Sequence, residues 1–353
     1  MKTLSNQQNS VKSSALFQGQ SLDTLAQPVT QPSEPPIDGD LQIVSQEGIC
    51  PSTLLKRARA KYLTNAIVFR LADLDSPLNK AYWNSFHCAS SLVLEDGKLT
   101  GRYCKNRWCM VCNRIRTAQL IHTYSPVLDE WTHKHFLTLT VPNVKAHELG
   151  LTIKIMNNAF RQIQNNLKKR TSRAVSLFPK IKGFRKLECT YNPVRDDYHP
   201  HFHIILDSEF GAIDIKEMWL KKFPICADIA QHISRADDNT CIELFKYFTK
   251  VLTKTTNEKN EKKYSICPQV LDTIFKSIKG IRTFQTFGFT LEKSDEPEIE
   301  NIEKDEKMVA FLDRTVYGWL QEFSDWVDVK TGEVLTGYEP TAKMLKLTGD
   351  DHE

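Results

Sequence analysis

The centre of the chain reads Tyr198-His199-Pro200-His201-Phe202-His203-Ile204-Ile205-Leu206, a pattern that predicts a β-strand. Residues two apart on a strand point to the same face, so His201 and His203 should lie side by side. Phe202, Ile204 and Leu206 then face the opposite way, into a core. Imidazole is a common metal ligand, so the spacing indicates half of a divalent-metal site. The alternative is a surface strand with incidental histidines.

Length and composition predict a globular protein. The chain has 353 residues, of which 41% are apolar, enough for about two domains with tails. No apolar run reaches the ~18 residues of a membrane-spanning helix. The first residues lack the apolar segment of a secretory signal, so we expect a cytoplasmic protein without membrane contact. In such a reducing compartment the 9 cysteines would be thiols or metal ligands.

Charge is distributed unevenly along the chain. Residues 160–186 contain 9 Lys or Arg and no acidic residue, which indicates either a phosphate-binding surface or a solvated helix face. Residues 292–307 contain 8 Asp or Glu against 3 Lys and predict a linker or solvated loop. Beyond that stretch, Trp319, Phe323 and Trp326 predict a packed helix.

Four cysteines form a spaced cluster before the centre of the chain. Cys88, Cys104, Cys109 and Cys112 occur as C-x15-C-x4-C-x2-C. Four thiolates suit a closed, tetrahedral, structural Zn²⁺ site, which would fold a region too small to build its own core. His87, beside the first cysteine, could replace one thiolate. A chance cluster of thiols is the alternative.

A third pattern lies on a helix predicted over residues 238–254. Glu243 and Tyr247 are four residues apart and share a helix face, with Lys250 one turn further on. A tyrosine hydroxyl, with a pKa of ~10, needs a polarised phosphate or a nearby cation to act as a nucleophile. Taken alone, this pairing is usually structural.

Periodicity predicts an α+β fold in which an antiparallel sheet carries helices on its faces. The expected elements are strands at 135–141, 181–191, 201–206 and 281–290 and helices at 147–171, 213–222 and 238–254. The strands that contain Phe136 and His201 should be central neighbours.

Three motifs in this order resemble those of rolling-circle plasmid replication initiators, which belong to the HUH (His-hydrophobe-His) endonuclease superfamily. They are the β-rich stretch 136–142, His201-Phe202-His203, and Glu243-x3-Tyr247-x2-Lys250. The resemblance covers roughly residues 50–290, and the cysteine cluster is similar to the zinc-binding stretch of that family. It therefore implies an antiparallel HUH sheet that follows an N-terminal zinc-binding region.

The resemblance implies a mechanism with assigned residues. His201 and His203 would hold Mg²⁺ or Mn²⁺ against the scissile phosphate. Tyr247 would attack the phosphorus, forming a 5′-phosphotyrosine link and releasing a 3′-OH primer. Glu243 would activate water to end the replication round, and Lys250 would offset negative charge. The implied partners are plasmid origin DNA, a host helicase and a host polymerase, with a homo-oligomer possible.

Two imidazoles underfill a divalent site, and geometry suggests Glu188 as the third ligand. A hairpin centred between Arg195 and Asp196 would place Glu188 directly opposite His203, with Cβ atoms ~5 Å apart. A one-residue bulge would break this register. The alternative is that Glu188 is an ordinary exposed strand residue.

We expect four parts along the chain. These are a disordered tail at 1–45, a zinc-binding and helical DNA-binding region at 46–130, the HUH nuclease domain at 131–292, and an acidic linker with a C-terminal helical segment at 293–353. An HUH transposase or relaxase would use the same chemistry on different DNA. A non-catalytic, zinc-dependent DNA-binding repressor would need no Tyr247.

Overall fold

The computed structural model describes residues 51–95, 98–173, 180–237, 240, 244, 253–256, 262–289 and 315–348. The predicted tail at 1–45 and most of the acidic linker lie outside these residues. The helices are α1 (Pro51–Ala72), α2 (Asn79–Phe86), α3 (Met110–Asp129), α4 (Ala146–Arg173), α5 (Glu209–Lys222), α6 (Pro268–Ile278) and α7 (Ala342–Thr348). The strands are β1 (Ser91–Glu95), β2 (Lys98–Gly101), β3 (His135–Thr140), β4 (Gly183–Asn192), β5 (Asp197–Leu206), β6 (His232–Arg235), β7 (Thr253–Thr256), β8 (Lys262–Ser265), β9 (Phe284–Phe287), β10 (Thr315–Leu320) and β11 (Asp325–Asp328).

A five-stranded sheet with the order β6-β3-β5-β4-β9 occupies the middle of the fold. Every pair of neighbouring strands in it is antiparallel. β5, which carries the two histidines, is central, and β3 pairs with it from Thr140 opposite His201 to His135 opposite Leu206. The predicted α+β class and the predicted neighbourhood of these two strands are confirmed.

One face of this sheet is covered by helices. Leu137 of β3 and Phe202 and Ile204 of β5 are fully buried in a cluster that includes Phe160 of α4. Trp219 of α5 packs in the same cluster, and its indole Nε1 donates a 2.9 Å hydrogen bond to the Thr140 carbonyl. The apolar half of the His-Phe-His pattern therefore lies in the core, as expected from strand alternation.

The opposite face carries a second, smaller cluster. Phe184 of β4, Ile205 of β5 and Phe284 of β9 pack there against Tyr124 of α3. Leu244, which is helical and 3% exposed, belongs to the same cluster. Because strands alternate, this is also the face on which His201 and His203 lie.

Residues 315–328 form a hairpin, the C-terminal hairpin, so the predicted helix at Trp319 and Trp326 is wrong. β10 and β11 pair with each other, and β10 pairs with β1 to give the sheet order β11-β10-β1-β2. The two tryptophans are cross-strand partners with ring centroids 4.9 Å apart. The spacing of the two tryptophans in the sequence fits an aromatic pair across an antiparallel hairpin as well as a pair on one face of a helix. The spacing alone therefore does not distinguish the two structures. Phe323 is in the turn and is 54% exposed.

Several predicted elements are present with shifted ends. The helix predicted at 147–171 is α4, and the helix predicted at 213–222 begins earlier because Ser208 caps α5 by accepting a hydrogen bond from the Gly211 N–H. The strand predicted at 281–290 is shorter, as β9. The helix predicted at 238–254 falls mostly outside the described residues, and its last two positions belong to β7. Within the described residues, no helix is long and apolar enough to cross a membrane.

Candidate functional site

The turn between β4 and β5 sets the register of the site. The Asn192 side-chain Oδ1 accepts hydrogen bonds from the backbone N–H groups of Val194 and Arg195, and Asp196 adopts φ 51°. This Asx turn with a left-handed residue closes the hairpin one residue earlier than the sequence pattern suggested. Glu188 consequently pairs with His201, and the predicted pairing with His203 is wrong. Because the slip is two residues, Glu188 keeps the predicted face of the sheet.

Glu188, His201 and His203 converge on one point. The Nε2 atoms of His201 and His203 lie 3.1 Å apart. The Glu188 Oε2 atom is 3.7 Å from the Nε2 atom of His201 and 3.6 Å from the Nε2 atom of His203. Adjacent ligands of an octahedral ion with bonds of ~2.1 Å are ~3.0 Å apart. The donor set and its spacing therefore fit a divalent cation, and the three residues form one of the groups able to hold a metal.

Hydrogen bonds fix the orientation of both imidazoles. The His201 Nδ1 atom lies 3.0 Å from the His199 carbonyl oxygen, which can only accept, so Nδ1 carries the proton. The Nε2 lone pair then faces the convergence point. The His203 Nδ1 atom lies 3.3 Å from the Thr138 hydroxyl, and Phe136 packs on the same ring at 5.0 Å. β3, which contains the first motif, thus orients the His203 ring of the second motif.

Charge at the site favours metal-binding protonation states. Burial opposes ionisation of Glu188, but the Lys186 ammonium, 2.6 Å from its Oε1 atom, and the two histidines hold its pKa well below the usual range. Burial lowers the pKa of His203 to about 4, so this imidazole is neutral at pH 7. Sequence reasoning assigned Lys186 only to the basic block. Its position two residues before Glu188, on the same strand face, is the signal that could have identified it.

The four predicted cysteines form a second convergent group. Their Sγ atoms all lie within 4.8 Å of one another, with Cys88 to Cys112 at 3.5 Å and Cys104 to Cys112 at 3.7 Å. In a tetrahedral Zn²⁺ site with Zn–S bonds of ~2.3 Å, neighbouring sulfurs are ~3.8 Å apart. The cluster fits zinc without the alternative ligand His87, which is not part of the group.

A buried lysine accompanies the thiols. Lys61 of α1 is fully buried and donates to the Phe86 carbonyl and, at 3.2 Å, to the Ser90 hydroxyl. Burial lowers its pKa to about 8, against the opposing charges of Cys88, Cys109 and Cys104. The lysine is therefore still largely protonated at pH 7, and a cation in this position stabilises thiolates.

Only part of the segment that carries the third motif lies within the described residues. Glu243, Tyr247 and Lys250 lie outside the described residues. Leu244, which lies between them in the sequence, is helical and packs on the sheet face of the two histidines, in the cluster that also contacts Phe136. The described part of this segment therefore packs on the same sheet face as the candidate metal-binding group of Glu188, His201 and His203.

Comparison with known proteins gives one family. A family model described as "Replication protein" matches residues 98–323. The chain is 42% identical to "Protein rep" of Staphylococcus aureus over 121 residues, which are 32% of this chain and 49% of that protein. It is 34% identical to "Protein rep" of Bacillus amyloliquefaciens over 37% of this chain and 41% of that protein. It is 29% identical to "Protein rep" of Streptococcus pneumoniae over 53% of this chain and 59% of that protein.

These matches define the extent of the similarity. The chain spans about half the length of the curated relatives that it matches. No solved structure is significantly similar to it.

Proposed function

This chain belongs to the replication-protein family, whose model matches residues 98–323, and from that premise we propose that it initiates rolling-circle replication of a plasmid by nicking one strand of the origin. The observation that carries the proposal is the convergence of Glu188, His201 and His203 on the sheet face against which Leu244 packs. A metal-binding group and the tyrosine-bearing segment are the two parts that such chemistry needs.

The metal-binding group would orient the scissile phosphate. His201, His203 and Glu188 would hold Mg²⁺ or Mn²⁺, which when bound supplies Lewis acidity and a template for the phosphate oxygens. The His199 carbonyl and Thr138 keep the imidazoles aimed, and Lys186 keeps Glu188 ionised. Both effects belong to the chain itself and precede binding of DNA.

The covalent step would be carried by Tyr247. Its oxygen attacks the phosphorus, the bond from phosphorus to the 3′ oxygen breaks, and the tyrosine proton is lost as the leaving oxygen gains one. The products are a 5′-phosphotyrosine and a free 3′-OH. Lys250 would offset charge on the phosphate or the tyrosinate. Glu243 would accept a proton from water when the round ends.

The cysteine cluster would hold zinc and shape the region that contacts origin DNA. We propose as substrate a single-stranded or hairpin nick site with its adjacent duplex, and as partners a host helicase and a host polymerase in the bacterial cytoplasm. A homo-oligomer is compatible with this function. A non-catalytic repressor would bind the same DNA but leave it intact.

Incubation with supercoiled plasmid that carries the cognate origin tests the proposal. With Mn²⁺ we expect open circles and a protein–DNA adduct that survives denaturation with detergent. A plasmid without the origin is the control and should stay supercoiled. Tight origin binding without nicks or adduct would instead identify a repressor.

Glu188→Gln is expected to raise the Mn²⁺ concentration for half-maximal nicking by about tenfold or more, because a charged ligand becomes a neutral one of the same shape. Glu217→Gln, at an exposed position on α5, is the matched control and should leave the titration unchanged. Identical Mn²⁺ titrations for the two variants would remove Glu188 from the ligand set.

Glu243→Ala is expected to leave initial nicking intact while termination fails, because attack by Tyr247 needs no activated water and release does. The readout is single-turnover nicking compared with the yield of closed monomeric product. If both steps fall equally, the water-activating role of Glu243 is wrong.

A further inference from the structure

A basic pocket lies on the side of the central sheet opposite the candidate metal centre. It has a volume of about 400 Å³ and is formed by one face of α4 together with β4 and the start of β9. Arg185 at its base and Glu188 in the metal-binding group are three residues apart on β4, so their side chains leave opposite faces. The pocket is therefore separate from the proposed nicking site. Its volume is in the range of small-ligand sites.

The lining of the pocket is cationic. Lys154 and Arg161 project from α4 seven residues apart and share a helix face, and Arg282 precedes β9 on the other wall. With Arg185 these make four cations, and the remaining lining residues are four amides and one isoleucine. None of the lining side chains is acidic, so the field inside the pocket is uniformly positive.

Arg185 is the observation that points to a ligand. Its side chain is 1% exposed and stacks between Phe202, at 4.3 Å, and Phe160, at 5.0 Å. One guanidinium nitrogen donates to the Gln285 Oε1 atom at 2.6 Å, whereas the buried Nε has no hydrogen-bond partner. Burial lowers the pKa of Arg185 to about 9, so it is still a cation at pH 7.

A buried guanidinium without a counter-ion is costly, and an anion in the pocket would offset that cost. Among the residues that the structure describes, no carboxylate pairs with Arg185. Guanidinium groups bind phosphate by paired hydrogen bonds, and the amides supply further donors. We propose that this pocket binds a phosphate group, from either a nucleic-acid backbone or a free nucleotide. The proposal does not rest on strand nicking.

The sequence supplies a matched control for the test. Arg161 and Arg185 belong to the basic block at 160–186, but the exposed Lys168 and Lys180 of the same block do not line the pocket. Lys154→Gln/Arg161→Gln and Lys168→Gln/Lys180→Gln remove the same charge from the same part of the chain. A general effect of net charge would be equal in the two double variants.

Binding is measured on the full chain without added Mg²⁺ or Mn²⁺, with two probes: inorganic pyrophosphate and a labelled 12-nucleotide single strand. We expect the pocket variant to bind at least one probe about tenfold more weakly than the control variant does. Loss confined to the single strand identifies a backbone phosphate, and loss of pyrophosphate binding identifies a free phosphorylated ligand. Equal affinities of the two variants for both probes, or no binding of either probe by the unaltered chain, would overturn the proposal. Origin nicking is assayed separately, so failure here leaves the proposed function untouched.

Discussion

Tyr247→Phe is expected to abolish origin nicking and the covalent protein–DNA adduct together. The substitution removes one oxygen, the atom proposed to form the bond to phosphorus, and leaves the ring. Loss of a catalytic nucleophile lowers turnover by on the order of 10⁴-fold or more. Nicking of supercoiled plasmid in Mn²⁺ measures the first effect, and a denaturing gel with end-labelled DNA measures the second.

Tyr191→Phe provides the comparison, since Tyr191 lies on β4 beyond Glu188 and its hydroxyl donates to the Asp196 carboxylate, at 2.9 Å. That variant should nick normally. The two readouts separate the alternatives for Tyr247. An adduct that persists in Tyr247→Phe would place the nucleophile on another residue, and nicking without any adduct would indicate that water attacks directly.

The candidate metal-binding group shows which features of a site sequence periodicity can predict. The alternation of His201, Phe202 and His203 determines which side chains share a face, and the structure has them as predicted. The register across the hairpin was missed because it depends on the Asn192 side chain and the left-handed Asp196 rather than on hydrophobic pattern. The error in register does not change the face on which Glu188 lies, because a slip of two residues returns its side chain to the same side of the sheet.

The sequence pattern does not predict which strands pair when they are far apart in the chain. β1 joins β10 with Ser91 opposite Gly318, and nothing in either short strand identifies the other as its partner. The spacing of the tryptophans in the C-terminal hairpin therefore predicts a helix that the structure does not contain. The basic pocket is not predicted for the same reason, because the wall at the start of β9 lies about a hundred residues after the α4 and β4 residues that it joins.

Cys109→Ser is expected to remove zinc and to destabilise the region around it by more than ~3 kcal/mol. Cys109 is fully buried and directly precedes α3, whose first N–H, that of Met110, donates to the Thr64 hydroxyl of α1 at 3.1 Å. A serine at this site cannot complete a thiolate tetrahedron, and in structural zinc sites the binding energy of the metal is folding energy. Cys267→Ser, outside both metal-binding groups, is the control and should keep its zinc.

The loss should extend to the C-terminal hairpin, which distinguishes a structural zinc site from an isolated surface one. Ala89, next to Cys88, accepts a 2.7 Å hydrogen bond from the Trp326 indole, and the Ser90 carbonyl accepts one from the Trp319 N–H at 2.8 Å. If zinc holds this segment in place, hydrogen exchange over residues 315–328 should accelerate in Cys109→Ser and after chelation, but not in Cys267→Ser. Unchanged protection there, with zinc demonstrably lost, would mean that the hairpin is held by its own aromatic packing and that the cluster stabilises only the start of α3.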